Sequence, residues 1–120
     1  MKTKPTQMSV RDLRGMGIQP DILICRADSE MPQEVRDKIS LFGDVEQEAV
    51  IGLPTASSIY EVPLILEEAG LGRYVAKAFD LPLEANLRDW TKMVDGIKAP
   101  KKTIRIALVG KYVELRDAYL

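Results

Sequence analysis

A lysine-rich segment near the amino terminus is the part of the chain best suited to hold an anion. It reads Lys2-Thr3-Lys4-Pro5-Thr6-Gln7. Proline disfavours the helical conformation in the residue before it, and alternate side chains of an extended chain project to the same side. The ammonium groups of Lys2 and Lys4 would then converge on one anion, beside hydroxyl and amide groups able to bond a phosphate or a base edge. The segment is suited to a triphosphate, and a solvated tail is the alternative.

Lys38 is a second candidate for contact with an anion. It lies three residues after Val35 and four before Phe42, at the border of the apolar stripe of a predicted helix. The alternative is a lysine that lays its stem along apolar surface and keeps its ammonium group in water.

Other chemistry is excluded by residues that the sequence lacks. It contains no histidine, and Cys25 is its single cysteine, so it offers no Ser-His or Cys-His pair and no thiolate-rich zinc site. Its acidic residues form no recognisable metal pair, and we therefore predict no catalytic residue and no metal ligand.

A net charge of -1 gives no field toward nucleic acid, and no apolar run reaches the roughly 20 residues that cross a bilayer. We expect a cytoplasmic chain that binds neither nucleic acid nor membrane.

The hydrophobic pattern predicts alternating strands and helices, and hence an α/β fold. Ser9 is expected to cap a short first helix. The apolar run 21–25 predicts a parallel strand covered on both faces, and 49–53 predicts a second strand. Further helices are predicted over 32–42, 63–69, 71–79 and about 87–96. Two strands separated by a helix favour a βαβ unit.

The last predicted element suggests more than one domain. Residues 99–102 have the composition of a linker, and 103–109 have the pattern of a strand that enters a new α/β domain. The alternative is that 103–109 completes the sheet formed by the two earlier strands.

Several segments taken together resemble one family. They are the Lys2–Gln7 segment, 17–26, 38–42, 58–63, the helix containing Trp90, and 106–119. The whole chain, in order, is similar to CTP synthase, the amidoligase that makes CTP from UTP. The resemblance implies the C-terminal part of a Rossmann-like, P-loop synthetase type of parallel-sheet domain over 1–80. It further implies a helical linker over 81–102 and the first strand of a class I glutamine amidotransferase domain over 103–120.

The resemblance also implies ligands. Lys2, Thr3, Lys4, Pro5, Thr6, Gln7 and Lys38 match residues of the family that contact UTP, or CTP acting as inhibitor, at the subunit junction of a homotetramer. The loop Pro54-Thr55-Ala56 matches the one that lies against the adenine of ATP. The family uses ATP, Mg²⁺ and glutamine, and its phosphate loop, magnesium carboxylates and glutaminase triad would lie outside this chain.

Two positions depart from the family pattern. Members usually have a histidine where this chain has Met8, and a more polar loop where it has Pro54-Thr55-Ala56. Because the family's phosphate loop, magnesium carboxylates and glutaminase triad would lie outside this chain, we expect a partial pyrimidine-nucleotide site and an isolated chain that makes no CTP. The alternatives are a stand-alone α/β module that binds a pyrimidine nucleotide without chemistry, and a purely structural fragment.

Overall fold

The computed structural model describes residues 2–82, 85–112 and 114. Its elements are α1 (Lys4–Gly15), β1 (Leu23–Ala27), α2 (Gln33–Gly43), β2 (Val50–Pro54), α3 (Val62–Glu68), α4 (Leu71–Ala78) and α5 (Arg88–Lys98). Single 3₁₀ turns at Gln47–Ala49 and Ile59–Glu61 precede β2 and α3. None of the helices in this described part has the length and apolar character needed to cross a membrane.

The two strands form a parallel pair, as predicted. Cys25 is opposite Gly52 in the register, and α2 connects the strands. The expectation that both faces of the first strand are covered is wrong. Burial alternates along β1, and Ile24 is 49% exposed. An alternating pattern is typical of a strand with one face on the core and one face open.

The first helix begins earlier than predicted, which corrects the reading of the lysine segment. Lys4 is the first residue of α1 and Pro5 lies in its first turn. N–H groups in the first turn of a helix have no acceptor within the helix, so proline loses no hydrogen bond there. Its fixed φ also suits the helix. Lys2 and Lys4 therefore do not alternate along an extended segment. Ser9 is inside the helix, where its hydroxyl donates to the Pro5 carbonyl at 3.1 Å, and does not cap it.

The end of α2 is closely packed against β1. Gly43, predicted to follow the helix, is its last residue, and Asp44 takes the left-handed conformation with φ of 50°. A Cβ atom on Gly43 would lie 2.9 Å from Cδ1 of Leu23. Only a residue without a side chain fits this approach unless Leu23 moves.

The helices after β2 follow the prediction within one or two residues. Gly70, with φ of 91°, separates α3 from α4. The helix α5 is bonded to the turn that precedes α3: the Trp90 indole N–H donates to the Tyr60 carbonyl at 2.8 Å, and Lys98 forms an ion pair with Glu61.

The strand predicted over 103–109 is not formed. These residues have no regular secondary structure, and Ile104, Ile106 and Val109 are 77%, 80% and 95% exposed. A strand requires a partner for its backbone N–H and C=O groups, and the sheet formed by the described residues contains β1 and β2 alone. The alternative in which 103–109 completes that sheet is wrong for the same reason. The remainder of the predicted second domain at 113 and 115–120 lies outside the described residues.

The core is centred on the start of β2. Ala49, Val50 and Ile51 have no exposed surface. Three helices each bury one apolar residue at 3% exposure, namely Val10 of α1, Ile39 of α2 and Val94 of α5.

Candidate functional site

One face of α1 lines a groove against α2, which we call the α1 groove. Its volume is about 320 Å³, and its lining residues are Lys4, Gln7, Met8, Arg11, Arg14 and Phe42. The residues from α1 recur at intervals of three and four, which places them along one side of the helix. Three lining residues are cationic and, among the described residues, none that lines the groove is a carboxylate. Such a surface favours an anion.

Arg14 and Gln19 fix the position of the two helices that form this groove. The Arg14 Nη2 atom donates to the Gly43 carbonyl at 2.9 Å and lies 3.3 Å from Oδ2 of Asp44. The Gln19 side-chain amide donates to the Gly43 and Asp44 carbonyls at 3.3 and 3.1 Å, and Arg14 Nε donates to Gln19. The final carbonyls of a helix have no partner within the helix, so these bonds cap α2.

The predicted threonines of the lysine segment form internal bonds. Thr3 is 8% exposed, and its hydroxyl oxygen accepts from the Gln7 amide at 3.1 Å. Thr6 forms a side-chain hydrogen bond with Cys25 of β1. Burial raises the pKa of the Cys25 thiol above its ordinary value of 9.0, and the bond with Thr6 opposes that rise. The Thr6 hydroxyl therefore helps to seat α1 on β1, whereas the Thr3 hydroxyl bonds within the start of α1.

The structure brings together part of the predicted nucleotide set. Lys4 and Gln7 line the α1 groove, whereas Lys2 and Lys38 are exposed and do not line it. Lys38 lies one turn before Phe42 on α2, and residues at this spacing share a helix face. Lys38 is therefore on the helix face that carries Phe42, a lining residue of the groove.

The predicted adenine loop lies at the carboxyl ends of the strands. A small cavity of about 140 Å³ there is lined by Arg26, Leu53, Pro54, Ala56, Ile59 and Val62. Thr55 is not part of this lining: its amide donates to the Ala27 carbonyl at 2.9 Å and its hydroxyl to the Asp28 carboxylate at 3.1 Å. In open α/β sheets, ligands bind beyond the carboxyl ends of the strands.

The resemblance implies ATP and Mg²⁺, and the residues near the strand ends suit these two ligands to different degrees. The largely apolar lining contributed by Pro54 and Ala56 suits the face of a purine ring. Mg²⁺ prefers several oxygen ligands in octahedral geometry. Within the described ranges, no three His, Cys, Asp or Glu side chains gather closely enough to hold a metal ion, so these residues supply no metal cluster of their own.

Sequence reasoning missed several lining residues. Arg11 and Arg14 of the α1 groove are not among the predicted residues, because a segment that is extended before Ser9 does not align them with Lys4. Lys4 and Arg11 are seven residues apart, which is two helical turns. In a helix that begins at Lys4 this spacing places both residues on one face. Arg26 follows the predicted strand directly, and its place at the strand end could have been inferred from the parallel pairing.

A parallel pair of strands joined by a helix, with a cationic groove beside it, is part of an α/β domain, and it fits a Rossmann-like synthetase domain. Residues 1–81 match the family model described as CTP synthase N-terminus. The full chain is 59% identical to the CTP synthase of Thermomicrobium roseum, 58% to that of Roseiflexus castenholzii and 54% to that of Methanocaldococcus jannaschii. The chain belongs to the CTP synthase family. It spans 22% of the length of each of these three relatives.

Proposed function

We propose that this chain is the part of a CTP synthase that covers the end of the synthetase domain over 1–80, a helical linker over 81–102 and the start of the glutamine amidotransferase domain over 103–120. The end of the family match at residue 81 supports the first boundary. The whole enzyme would be a cytoplasmic homotetramer that converts UTP to CTP with ATP, using glutamine or ammonia as the nitrogen source.

Within that enzyme, the role of this chain is to bind the phosphate groups of UTP or CTP in the α1 groove. The observation that carries the proposal is the convergence of Lys4, Arg11 and Arg14 on one groove whose described lining has no carboxylate. Charge-assisted hydrogen bonds from such groups to phosphate are roughly twice as strong as neutral ones. Lys2 and Lys38 are exposed, and their long side chains supply further positive charge at the rim.

The loop over 54–56 would contribute to the adenine site. Pro54 and Ala56 line the strand-end cavity, and Thr55 ties the loop to the end of β1. ATP supplies the phosphoryl group that activates UTP in the whole enzyme. The residues of this chain would hold the base, and we propose that the isolated chain makes no CTP.

A titration of the chain with UTP, followed by heteronuclear NMR, tests the phosphate-binding role. We expect saturable shifts of α1 amides, with a Kd of about 1 mM for a partial site. Lys4→Ala should weaken binding about tenfold, because it removes a charged contact. Lys101→Ala removes an exposed lysine far along the sequence and serves as the control. Equal affinities in the two variants, or shifts confined to other elements, would reject the groove.

The same titration separates this reading from the stand-alone binding module. A self-sufficient nucleotide module would hold UTP at about 1 µM or more tightly, well beyond the affinity of a partial site. Incubation of the purified chain with UTP, ATP, Mg²⁺ and ammonia should yield no CTP. Any CTP formed would contradict the proposed lack of activity while leaving the groove assignment in place.

A further inference from the structure

A second cationic cavity lies between α2 and α4, and we call it the α4 cavity. Its volume is about 250 Å³, and its lining residues are Arg36, Glu48, Ala69, Gly70, Arg73, Tyr74 and Lys77. None of these residues lines the α1 groove or the strand-end cavity. Arg36 is two residues from Lys38, and residues at that spacing do not face each other on a helix. The α4 cavity therefore shares no lining residue with either proposed nucleotide site.

The positive charges of this cavity come from two helices. Arg73 and Lys77 are one turn apart on α4, a spacing at which like charges disfavour the helix. Arg36 of α2 lines the same cavity. Glu48 is the sole carboxylate among the described lining residues, so positive charge is in excess.

None of Arg36, Arg73 and Lys77 forms an ion pair with a carboxylate of the described part of the chain. The cations of the described helices that do form ion pairs are Arg11, Arg14, Lys92 and Lys98. The guanidinium Nε of Arg36 is buried and has no hydrogen-bond partner among the described residues. A buried donor without a partner is costly, so a shift of the Arg36 side chain toward an anion in the cavity would relieve that cost.

We infer that the α4 cavity binds a phosphate dianion, either free or as a small phosphate monoester. The planar guanidinium groups of Arg36 and Arg73 match the geometry of phosphate oxygens, Lys77 adds a point charge and the Tyr74 hydroxyl is a further donor. The volume is below the range of roughly 300 to 1,000 Å³ that is usual for drug-sized ligands, which favours a phosphoryl group over a whole nucleotide.

NMR titration of the ¹⁵N-labelled full chain with inorganic phosphate tests this inference, against sodium chloride at matched ionic strength. We expect saturable shifts of the Arg36 Nε–H signal and of amides over 70–77, with no such response to chloride. A second titration with ethyl phosphate identifies the source: tighter binding of the ester assigns a monoester, and tighter binding of phosphate assigns the free ion.

Three variants sharpen the result. Arg73→Ala should weaken phosphate binding about tenfold, since it removes a charge-assisted bond. Arg36→Lys keeps the charge but removes the guanidinium, and it should also weaken binding. Arg88→Ala is the matched control, because Arg88 is an exposed arginine on α5. A response that chloride reproduces, or equal affinities in Arg73→Ala and Arg88→Ala, would overturn the inference. Phosphate-induced shifts confined to the amides of α1 would report the α1 groove and not this cavity, so a failure of one site is distinguishable from a failure of the other.

Discussion

The Nη2 atom of Arg14 lies 2.9 Å from the carbonyl oxygen of Gly43 and joins the end of α1 to the end of α2. The same guanidinium also lies 3.3 Å from the Asp44 carboxylate, and its side chain is 35% exposed. This one arginine therefore both caps a helix and lines the α1 groove. Asp44 offsets part of the positive charge that Arg14 brings to the groove, while the bonds of Arg14 hold the two helices together.

Arg14→Ala should lower the free energy of unfolding by about 1 to 2 kcal/mol, because it leaves the carbonyl of Gly43 without its charged donor. Urea denaturation followed by circular dichroism measures the change. Arg11→Ala is the control on the same helix: Arg11 has a side chain 76% exposed and a long contact of 3.9 Å to Asp12. If both variants lose the same stability, the bond to Gly43 has no special role.

Trp90→Phe should loosen α5, because the phenyl ring cannot donate to the Tyr60 carbonyl. A neutral hydrogen bond of this kind contributes about 1 kcal/mol. Hydrogen exchange of the α5 amides should become faster, while exchange in β2 stays unchanged. Tyr60→Phe is the control, since the acceptor is the backbone carbonyl and survives this change. If the α5 amides exchange as slowly in Trp90→Phe as in the wild type, the indole hydrogen bond does not hold the helix.

Cys25 should react slowly with iodoacetamide in the folded chain. Burial raises the pKa of its thiol above 9.0, so less thiolate is present near pH 8 than in the urea-unfolded chain. Thr6→Val removes the hydrogen bond that lowers this pKa, and it should slow the reaction further. The rates in folded and unfolded protein, compared at one pH, provide the measurement. A faster reaction in folded Thr6→Val would contradict the assigned effect of the bond.

The same thiol makes stability depend on pH at the alkaline end. Because the folded-state pKa is raised, the unfolded chain loses its proton first, and the folded state becomes less stable as pH rises above 9.0. The contribution is fully present below that pH and is lost as pH passes through the higher folded-state pKa. Urea denaturation of the wild type and of Cys25→Ala across this window should show a slope that the variant lacks. If the free energy of unfolding depends on pH in the same way in both proteins, Cys25 does not cause the alkaline loss of stability.

Gly43→Ala and Gly96→Ala should change stability in opposite directions. The new Cβ at position 43 would lie 2.9 Å from Leu23, and overpacking of this kind costs about 1 to 3 kcal/mol. At Gly96 in α5 the space within 4 Å is open, and alanine in a helix interior is favoured over glycine by about 0.5 to 1 kcal/mol. Thermal denaturation of both variants measures the two effects. A stabilised Gly43→Ala would mean that Leu23 moves aside at little cost.

The sequence predicted the central part of the fold because its signals there are local. The apolar runs around Ile24 and Ile51, and the helix between them, carry both the periodicity and the end signals of their elements, and the parallel pairing is confirmed. The start of α1 was missed because proline has two opposite local effects. It restricts the residue before it, and it also suits the first turn of a helix, as it does at Pro5.

The candidate site was predictable in part for a related reason. Lys4, Gln7, Pro54 and Ala56 were found through the resemblance, and the structure places them in two different cavities. Which further residues share those cavities depends on how helices and strand ends pack, and short-range patterns do not contain that information. The apolar alternation over 103–109 shows the same limit, because a strand forms only where another backbone pairs with it.

The fully buried residues cluster at Ala49, Val50 and Ile51. We expect this cluster to determine the order in which parts of the chain unfold locally. Helices that each insert one apolar side chain can detach singly, at a free energy below that of global unfolding. Peripheral segments are then the first to be cut by proteases and to exchange their amides, and the start of β2 is the last. Limited digestion should therefore leave a resistant remnant built around that strand.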